Sequence, residues 1–305
     1  MTARRVPVGP FEVDDLDARR TVAAAVALGV RGGRSRFYAL HVGGLNHRAD
    51  AGFVEEMNSA DLVCADGGSV LLLARLSGAR SIERAPTTDV GWDVLHGMAA
   101  ELGRAPRVAL VGGEPGLAEA AGRVLAAAGA ADVVHTDHGY HETWQGPLRL
   151  LREADPEVLV VGMGAPREMH WVRDHRHDLP ESLVMTCGGW FGFLTGAESR
   201  APGLLRRSGL EWLARVAQAP ARLGPRYLRG AFTVLAIAMG TLARRRAEGA
   251  TADGRQGTQA ATGERTSRVD PSSRHSSSGE SEASTPTISS PSHIGGPAER
   301  VTDRR

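Results

Sequence analysis

Short apolar runs recur along the first two-thirds of the chain, and polar or glycine-containing turns separate them. The runs at 37–42, 61–65, 107–111 and 158–161 are rich in aliphatic residues without strict alternation, which is typical of strands buried on both faces. Segments with helical periodicity lie between them, at 50–59, 69–76, 90–100 and 117–128. Residues 6–30 predict a strand, a turn and a helix, and residues 133–134 predict one more short strand. This order predicts an α/β fold with a mostly parallel, Rossmann-like sheet flanked by helices.

Polar and glycine residues lie in the turns after four of the predicted strands, at Gly43, Asp66, Gly112 and Gly164. Ligands of parallel sheets bind at the carboxyl ends of the strands, so we expect these positions along one edge. Asp66 precedes two glycines and is a candidate general base, although Asp-Gly also simply forms turns. Gly112 and Gly113 precede a helix and suit the approach of a phosphate, but their spacing matches neither the dinucleotide fingerprint nor the P-loop.

Two further clusters carry polar side chains. Arg84, Thr88 and Asp89 lie close together in the sequence and suit a polar ligand, or alternatively they belong to the amino-terminal cap of the next helix. His135, His138 and His141 surround Asp137, yet their spacing fits neither a helical ligand pair nor a zinc finger. We therefore predict no metal site.

Arginines are concentrated in residues 196–227, whereas the chain as a whole has a formal net charge of only +1. A local positive field on a neutral protein indicates an anionic partner, and nothing in the overall charge indicates nucleic acid. The leucines between these arginines predict helices that pack against the rest of the protein. Guanidinium groups suit a diphosphate, and the alternative is a basic segment on acidic lipid. The arginines are Arg200, Arg206, Arg207, Arg215, Arg222 and Arg226.

The remaining sequence features concern compartment and domain organisation. Cys64 and Cys187 lie in or beside apolar runs, which favours buried reduced thiols. The acidic start of the chain argues against a secretory signal. The apolar run 231–243, with arginines on both sides, has about 13 residues against the roughly 20 needed to cross a bilayer. It predicts a helix on an anionic membrane surface, or one packed in the core or a partner subunit.

The composition divides the chain into three parts. Residues 1–195 form the predicted α/β domain, residues 196–246 a helical, arginine-rich appendage, and residues 247–305 a disordered tail dominated by Ser, Thr, Gly, Pro, Arg and Glu. The tail lacks the apolar periodicity that would offset its ordering entropy. The sequence does not determine the oligomeric state, and a homo-oligomer is one of the possible states.

Together these motifs resemble the WecG/TagA/CpsF family of bacterial glycosyltransferases (glycosyltransferase family 26). The resemblance implies an inverting hexosyl- or N-acetylhexosaminyltransferase. It would move an N-acetylmannosamine-like or related sugar from a UDP-sugar to a polyprenyl-diphosphate-linked acceptor in cell-surface polysaccharide or exopolysaccharide synthesis. It also implies no metal or other cofactor, and a place on the cytoplasmic face of the membrane. The matching motifs are Ala60-Asp61-Leu62-Val63, Asp66-Gly67, Glu83-Arg84, Thr88-Asp89, Val111-Gly112-Gly113, Pro115-Gly116, Gly162-Met163-Gly164-Ala165-Pro166, Trp171, Gly196, Arg200-Ala201-Pro202, Gly209-Leu210-Glu211-Trp212, Arg215, Pro220, Arg222-Leu223 and Arg226-Tyr227.

Carried over residue by residue, the resemblance implies that Asp66 is the catalytic base. The implied substrate-binding residues are Arg84, Thr88, Asp89, Gly112, Gly113, Gly164, Pro166, Glu168, Arg200, Arg215, Arg222 and Arg226.

Three departures from the family pattern favour an alternative, a nucleotide-sugar-binding or regulatory protein that has lost turnover. The Thr-x-Asn after the second strand is replaced near Leu40-His41. The family's P-K-Q-E reads Pro166-Arg167-Glu168-Met169, and its Phe-Asp reads Phe191-Gly192. A dinucleotide-dependent oxidoreductase is a third hypothesis, but the chain lacks its glycine fingerprint.

Overall fold

Six strands form one parallel sheet in the computed structural model, which describes residues 3–197 and 220–263. Side chains are described for residues 3–197, 224–225 and 228–247. The strand order is β4-β3-β8-β7-β5-β6, and every neighbouring pair is parallel. The α/β class and the parallel sheet are thereby confirmed. The strands are β3 Ser35–Leu40, β4 Leu62–Ala65, β5 Arg107–Gly112, β6 Asp132–Asp137, β7 Val158–Gly162 and β8 Leu183–Thr186.

The first residues form a hairpin where the sequence predicted a single strand. Strands β1 Arg5–Val8 and β2 Phe11–Asp14 pair antiparallel, and Gly9, with φ of +65°, lies in the turn between them. The alternating apolar residues of this hairpin join the core on one face of the large sheet. The Asp14 carboxylate accepts a hydrogen bond from the Val63 backbone N–H at 2.8 Å, which ties the hairpin to β4.

The helices predicted at 50–59, 69–76, 90–100 and 117–128 are present, and helices at 42–45, 145–153, 167–175 and 190–194 were not predicted. Asp50 caps the third helix and accepts a hydrogen bond from the Phe53 N–H. The predicted strand 37–42 ends earlier, at Leu40, because His41 caps a short helix instead. The helices are α1 Ala18–Arg31, α2 Val42–Leu45, α3 Ala51–Asn58, α4 Gly68–Leu76, α5 Thr87–Leu102, α6 Leu117–Ala127, α7 Gln145–Glu153, α8 Arg167–His175, α9 Trp190–Leu194 and α10 Pro220–Gly263.

The two faces of the sheet carry different helices. One face is covered by the hairpin with α3, α4, α7 and α8, and the other by α1, α5, α6 and α9. Consequently the helix after β5 and the helix after β7 lie on opposite faces, although β5 and β7 are neighbours in the sheet. The loops that follow these two strands diverge, which opens a crevice at the carboxyl ends. Cys64 and Cys187 are both buried and free, as predicted.

Helix α10 packs one face on the sheet domain. Thr233, Ile237 and Thr241 are buried, Ile237 approaches Gly9, and Gly230 approaches Val42. Arg48 donates a hydrogen bond of 2.9 Å to the Thr233 hydroxyl. Among the helices of residues 3–197 and 220–263, none is both long enough and apolar enough to cross a membrane.

The helical backbone continues to Gly263, so the first part of the predicted tail is helical. Residues 1–252 form one compact unit and residues 253–305 a second, of which the structure describes only helical residues 253–263.

Candidate active site

The positions selected from the sequence lie on one edge of the sheet. Asp66 directly follows β4, Gly112 is the last residue of β5, and Gly164 lies two residues after β7. Gly43 lies in the short helix after β3. These strands are parallel, so their carboxyl ends meet at a single edge. The geometric part of the prediction is therefore confirmed.

Asp66 lies beside Arg84 at the outer end of this edge. The Asp66 N–H donates to the Leu40 carbonyl at 2.8 Å, which holds it against the end of β3. Ala65 pairs with Arg84 in a parallel bridge, and the Ala85 N–H donates to the Ala65 carbonyl at 2.9 Å. The segment that carries Arg84 thus runs alongside the strand that ends at Asp66. Asp66 and Arg84 are therefore neighbours along the backbone at this edge, and both are partly exposed.

The start of α5 brings the remaining polar residues of this cluster to the same place. Arg84 and Asp89 form an ion pair of 2.8 Å, with side-chain exposures of 23% and 35%. The Thr87 hydroxyl donates to the Thr186 carbonyl at 2.8 Å and ties the start of α5 to the end of β8. Pro86 occupies the cap position, and Asp89 lies in the first turn of the helix. Arg84 and Asp89 therefore face each other at the edge, and Thr88 lies between Thr87 and Asp89, partly exposed.

Backbone geometry dominates at the end of β5. A Cβ atom on Gly112, whose φ is +140°, would lie 2.3 Å from the Gly162 carbonyl oxygen. The Gly113 N–H donates to the same oxygen at 2.9 Å. Only glycine fits at Gly112, because any side chain would separate β5 from β7. The loop then enters α6 with Gly116 as its cap residue and with no side-chain cap bond.

Glu168 is a buried carboxylate at the end of β7. Its side chain is in the first turn of α8, the residue is 2% exposed, and Oε2 accepts a hydrogen bond of 3.0 Å from the Gly164 N–H. The preceding Ala165-Pro166 peptide bond is cis. Burial, and secondarily the negative charge of Glu168, raise the pKa of the Cys187 thiol well above its usual range. Glu168 therefore holds the β7 loop and faces the interior below the crevice.

The histidine-rich segment forms a cluster that its spacing did not predict. His141 Nε2 lies 2.7 Å from Asp137 Oδ1, and the His138 ring stacks on His141 with 4.0 Å between the centroids. Candidate ligand atoms of these three residues all lie within 4.8 Å of one another. His135 is outside this group and partly buried, and this burial lowers the pKa of its imidazole. The absence of a metal requirement stays a prediction.

The sequence profile of the Glycosyl transferase WecG/TagA/CpsF family matches residues 6–248. The chain belongs to this family. The match covers the whole sheet and the part of α10 that packs on it. Membership identifies the protein as a glycosyltransferase of cell-surface polysaccharide synthesis, with a nucleotide-sugar donor and an acceptor as its partners.

The departures from the family pattern have defined positions. His41 Nδ1 accepts a hydrogen bond of 2.9 Å from the Gly43 N–H, so this side chain caps α2. Gly192 is buried inside α9 and offers no side chain to the crevice. Glu168, in place of the family's glutamine, keeps an acceptor for Gly164 but adds a negative charge.

Four of the arginines that the resemblance implies are not placed. Arg200 and Arg215 lie outside the described residues. Arg222 and Arg226 are in the described backbone of α10, but their side chains are not described. Their roles stay predictions.

Two residues at the crevice were not selected from the sequence. Tyr140 is 54% exposed, and the Arg167 guanidinium carbon lies 4.5 Å from the centre of its ring. The sequence placed the end of the strand near Val134, whereas β6 continues to Asp137 and carries Tyr140 to the carboxyl edge. The sequence feature that could have identified Tyr140 is its position directly after Gly139 and three residues after the end of β6.

Proposed function

We propose that the protein is an inverting glycosyltransferase that moves a hexose or N-acetylhexosamine from a UDP-sugar to a polyprenyl-diphosphate-linked sugar. The observation that carries the proposal is the position of Asp66 beside Arg84 at the carboxyl edge of a sheet in a glycosyltransferase family. A general base next to a cation, both partly exposed at the carboxyl edge, is the arrangement that direct displacement at a sugar carbon needs.

The proposed reaction is a single displacement. The acceptor hydroxyl oxygen bonds to the anomeric carbon of the donor sugar while the bond from that carbon to the diphosphate oxygen breaks. The hydroxyl proton passes to the Asp66 carboxylate, and the nucleoside diphosphate leaves with the bonding electrons. Attack opposite the leaving group inverts the anomeric configuration.

The negative charge on the departing diphosphate has to be offset. In our proposal, the positive charges of arginine side chains offset it. Arg84 is held by Asp89 at 2.8 Å, which fixes the guanidinium at the edge. The predicted contributions of Arg200, Arg215, Arg222 and Arg226 are charge-assisted hydrogen bonds to the phosphate oxygens. Fixed cations of this kind stabilise the leaving group without a metal.

Glu168 supports the alternative of a nucleotide-sugar-binding protein with impaired turnover. Glu168 is 2% exposed, and its carboxylate accepts a hydrogen bond from the Gly164 N–H in the loop after β7, where we place the diphosphate. A buried negative charge near a second anion weakens its binding. The alternative therefore differs from the main proposal in the rate of transfer and not in the fold.

The exposed face of α10 supports attachment to the surface of a membrane. Its large apolar side chains follow at intervals of four and three residues and are between 44% and 66% exposed, namely Leu228, Phe232, Leu235, Met239 and Leu242. They lie opposite the face that packs on the sheet domain. Exposed arginines lie near both ends of the stripe, at Arg229 and at Arg244, Arg245 and Arg246. An amphipathic helix with cationic ends suits the headgroup region of an anionic bilayer.

Release of UDP tests the catalytic proposal. Purified protein is incubated with a set of UDP-sugars, with and without a short-chain lipid-diphosphate sugar acceptor. We expect UDP release from at least one donor only when acceptor is present. Donor binding without any acceptor-dependent release would favour the impaired alternative.

Cosedimentation with vesicles tests the membrane proposal. Replacing Phe232 and Met239 with glutamine removes apolar area from the exposed stripe, and we expect binding to anionic vesicles to fall. Replacing Leu72 and Leu150, which are 53% and 50% exposed on other helices, is the matched control and should leave binding unchanged. Binding should also weaken as salt is added, since screening reduces the attraction of the arginines. Equal binding of all variants would contradict peripheral attachment through α10.

A further inference from the structure

Two histidines and an aspartate gather at the end of β6 and in the loop that follows it. Asp137 is the last residue of this strand, and His138 and His141 follow it closely in the sequence. One nitrogen of each imidazole and one carboxylate oxygen all lie within 4.8 Å of one another. All three residues are partly exposed, so a small ion can reach them from solvent. They offer three ligand atoms from one short segment, although their spacing in the sequence matches no standard metal-binding pattern.

The backbone around these three side chains is held by the rest of the sheet. Asp137 belongs to the ladder between β5 and β6, and the Gly139 N–H donates to the Gly113 carbonyl at 2.9 Å. Trp144 packs edge-on against the His141 ring, with 4.8 Å between the centroids. Side chains that are already held close together lose little conformational entropy when they bind an ion.

Hydrogen bonds join these side chains in the places that bonds to an ion would take. His141 Nε2 lies 2.7 Å from Asp137 Oδ1, so a proton lies between two atoms that can each bind a cation. Ligand atoms about 2.1 Å from a tetrahedral ion are about 3.4 Å apart, so this pair would have to open by less than about 1 Å. His138 Nδ1 accepts a hydrogen bond of 3.0 Å from the Tyr140 N–H, and a bond from His138 to an ion would replace it, because a neutral imidazole carries a single proton.

Two ring nitrogens beside the cluster need a partner. His135 precedes Asp137 by two residues on β6, so both side chains leave the strand on the same face, where they line a narrow cleft with Trp144 and Trp171. His135 Nε2 and Trp171 Nε1 are buried, and neither has a hydrogen-bond partner within the described part of the chain. Buried polar atoms are nearly always paired in proteins. Water carried by an ion at Asp137 would supply such a partner.

We propose that Asp137, His138 and His141 bind a divalent transition-metal ion such as Zn²⁺ or Ni²⁺. Two imidazole nitrogens and a carboxylate oxygen suit these ions, whereas Mg²⁺ and Ca²⁺ prefer ligand sets made of oxygen. The site takes no part in the proposed displacement, in which arginines offset the charge of the diphosphate, and it does not depend on that proposal. The bound ion fixes the loop after β6, which contacts the end of β5 through Gly139.

Calorimetric titration of the full chain with ZnCl₂, NiCl₂ and MgCl₂ tests the site. We expect the natural protein to bind Zn²⁺ and Ni²⁺ and to show no comparable binding of Mg²⁺. The double variant His138→Gln/His141→Gln should bind Zn²⁺ at least about 10-fold more weakly, since even the loss of a residue that only supports a ligand costs about 10- to 100-fold. His96→Gln/His177→Gln is the matched control, because it removes two exposed histidines elsewhere, and it should bind like the natural protein.

The melting temperature gives a second measurement. Excess Zn²⁺ should raise it in the natural protein and in the control, because an ion that binds only the folded state stabilises that state, and it should not raise it in the double variant. Should the double variant fail to fold, Asp137→Asn keeps the shape of the side chain and should also bind Zn²⁺ at least about 10-fold more weakly. Equal Zn²⁺ binding by the natural protein, the site variants and the control would place the ion elsewhere and overturn the proposal. Absence of Zn²⁺ and Ni²⁺ binding by the natural protein would overturn it as well.

Discussion

The two ends of the carboxyl edge differ in what they present to a ligand. At the β4 end, Asp66, Arg84 and Asp89 present charged side chains that are partly exposed. Towards the other end, where β7 and β5 lie inside the outer strand β6, Gly112, Gly113 and Gly164 present backbone, and strand packing fixes its conformation. The Asp66 carboxylate at the first end can accept a proton. The second end offers a fixed backbone shape, because the Gly113 and Gly164 N–H groups already donate to Gly162 and Glu168.

We therefore assign the chemical step to the β4 end and the recognition of the donor to the region of β5 and β7. Charged, half-exposed side chains can be replaced without disturbing the core, so substitutions at the β4 end should act on the rate. Gly112 lies against Gly162 with no room for a side chain, so a substitution there should act on stability before it acts on binding.

Asp66→Asn should give the largest effect. The amide keeps the shape of the carboxylate but cannot accept the acceptor proton, and losing a general base typically slows a reaction about 10²- to 10⁴-fold. We expect UDP release to fall by that factor, while UDP binding measured by calorimetry and the melting temperature stay close to those of the natural protein.

Full turnover by Asp66→Asn would show that this residue only forms the turn before α4. Loss of donor binding together with the rate would instead place Asp66 in substrate binding, and the separation between the two ends would be wrong.

Gly112→Ala should affect stability most strongly among the glycine positions. A non-glycine residue at positive φ costs about 1–2 kcal/mol, and the clash with the Gly162 carbonyl adds to that cost. We expect at least about 3 kcal/mol of lost stability in chemical denaturation, a large fraction of the total for a domain.

Gly116→Ala is the matched control for that substitution. Gly116 also has a positive φ, of +88°, but nothing lies within 4 Å of the position of its Cβ. It should lose only the backbone cost of about 1–2 kcal/mol. Equal losses in the two variants would mean that the contact between β5 and β7 yields locally and does not fix the loop.

Most of the sheet could be predicted because its strands are continuous apolar runs. The runs that became β3, β4, β5 and β7 are buried along their whole length or nearly so. The hairpin was missed because Gly9-Pro10 interrupts a short stretch that reads as one strand. Strand β6 was predicted too short because its second half, His135 to Asp137, is polar and lies at the edge of the sheet.

The candidate site was predictable where its residues are adjacent to strand ends. Asp66 and Gly112 follow directly from that rule. The pairing of Arg84 with the end of β4, and the support of Tyr140 by Arg167, join residues far apart in the sequence and depend on tertiary packing. The spacing of the histidines likewise could not show that a turn would stack His138 on His141.

Substitution of Glu168 should give a smaller effect that tests the recognition end directly. Glu168→Gln keeps an oxygen acceptor for the Gly164 N–H and removes the negative charge. We expect an unchanged melting temperature and UDP binding that is tighter by about fivefold or more, since a like-charge contact costs about 1 kcal/mol or more.

Glu168→Ala separates the charge from the hydrogen bond. It removes the charge as well, but it leaves the Gly164 N–H without this acceptor, at a cost of about 1–3 kcal/mol of stability. If tighter binding comes from the lost charge alone, both variants should bind UDP more tightly and only the alanine variant should unfold more easily. Tighter binding in neither variant would show that the Glu168 carboxylate does not oppose the diphosphate. The reduced-turnover alternative would then lose the support that it draws from Glu168, because this residue would serve only to hold the β7 loop.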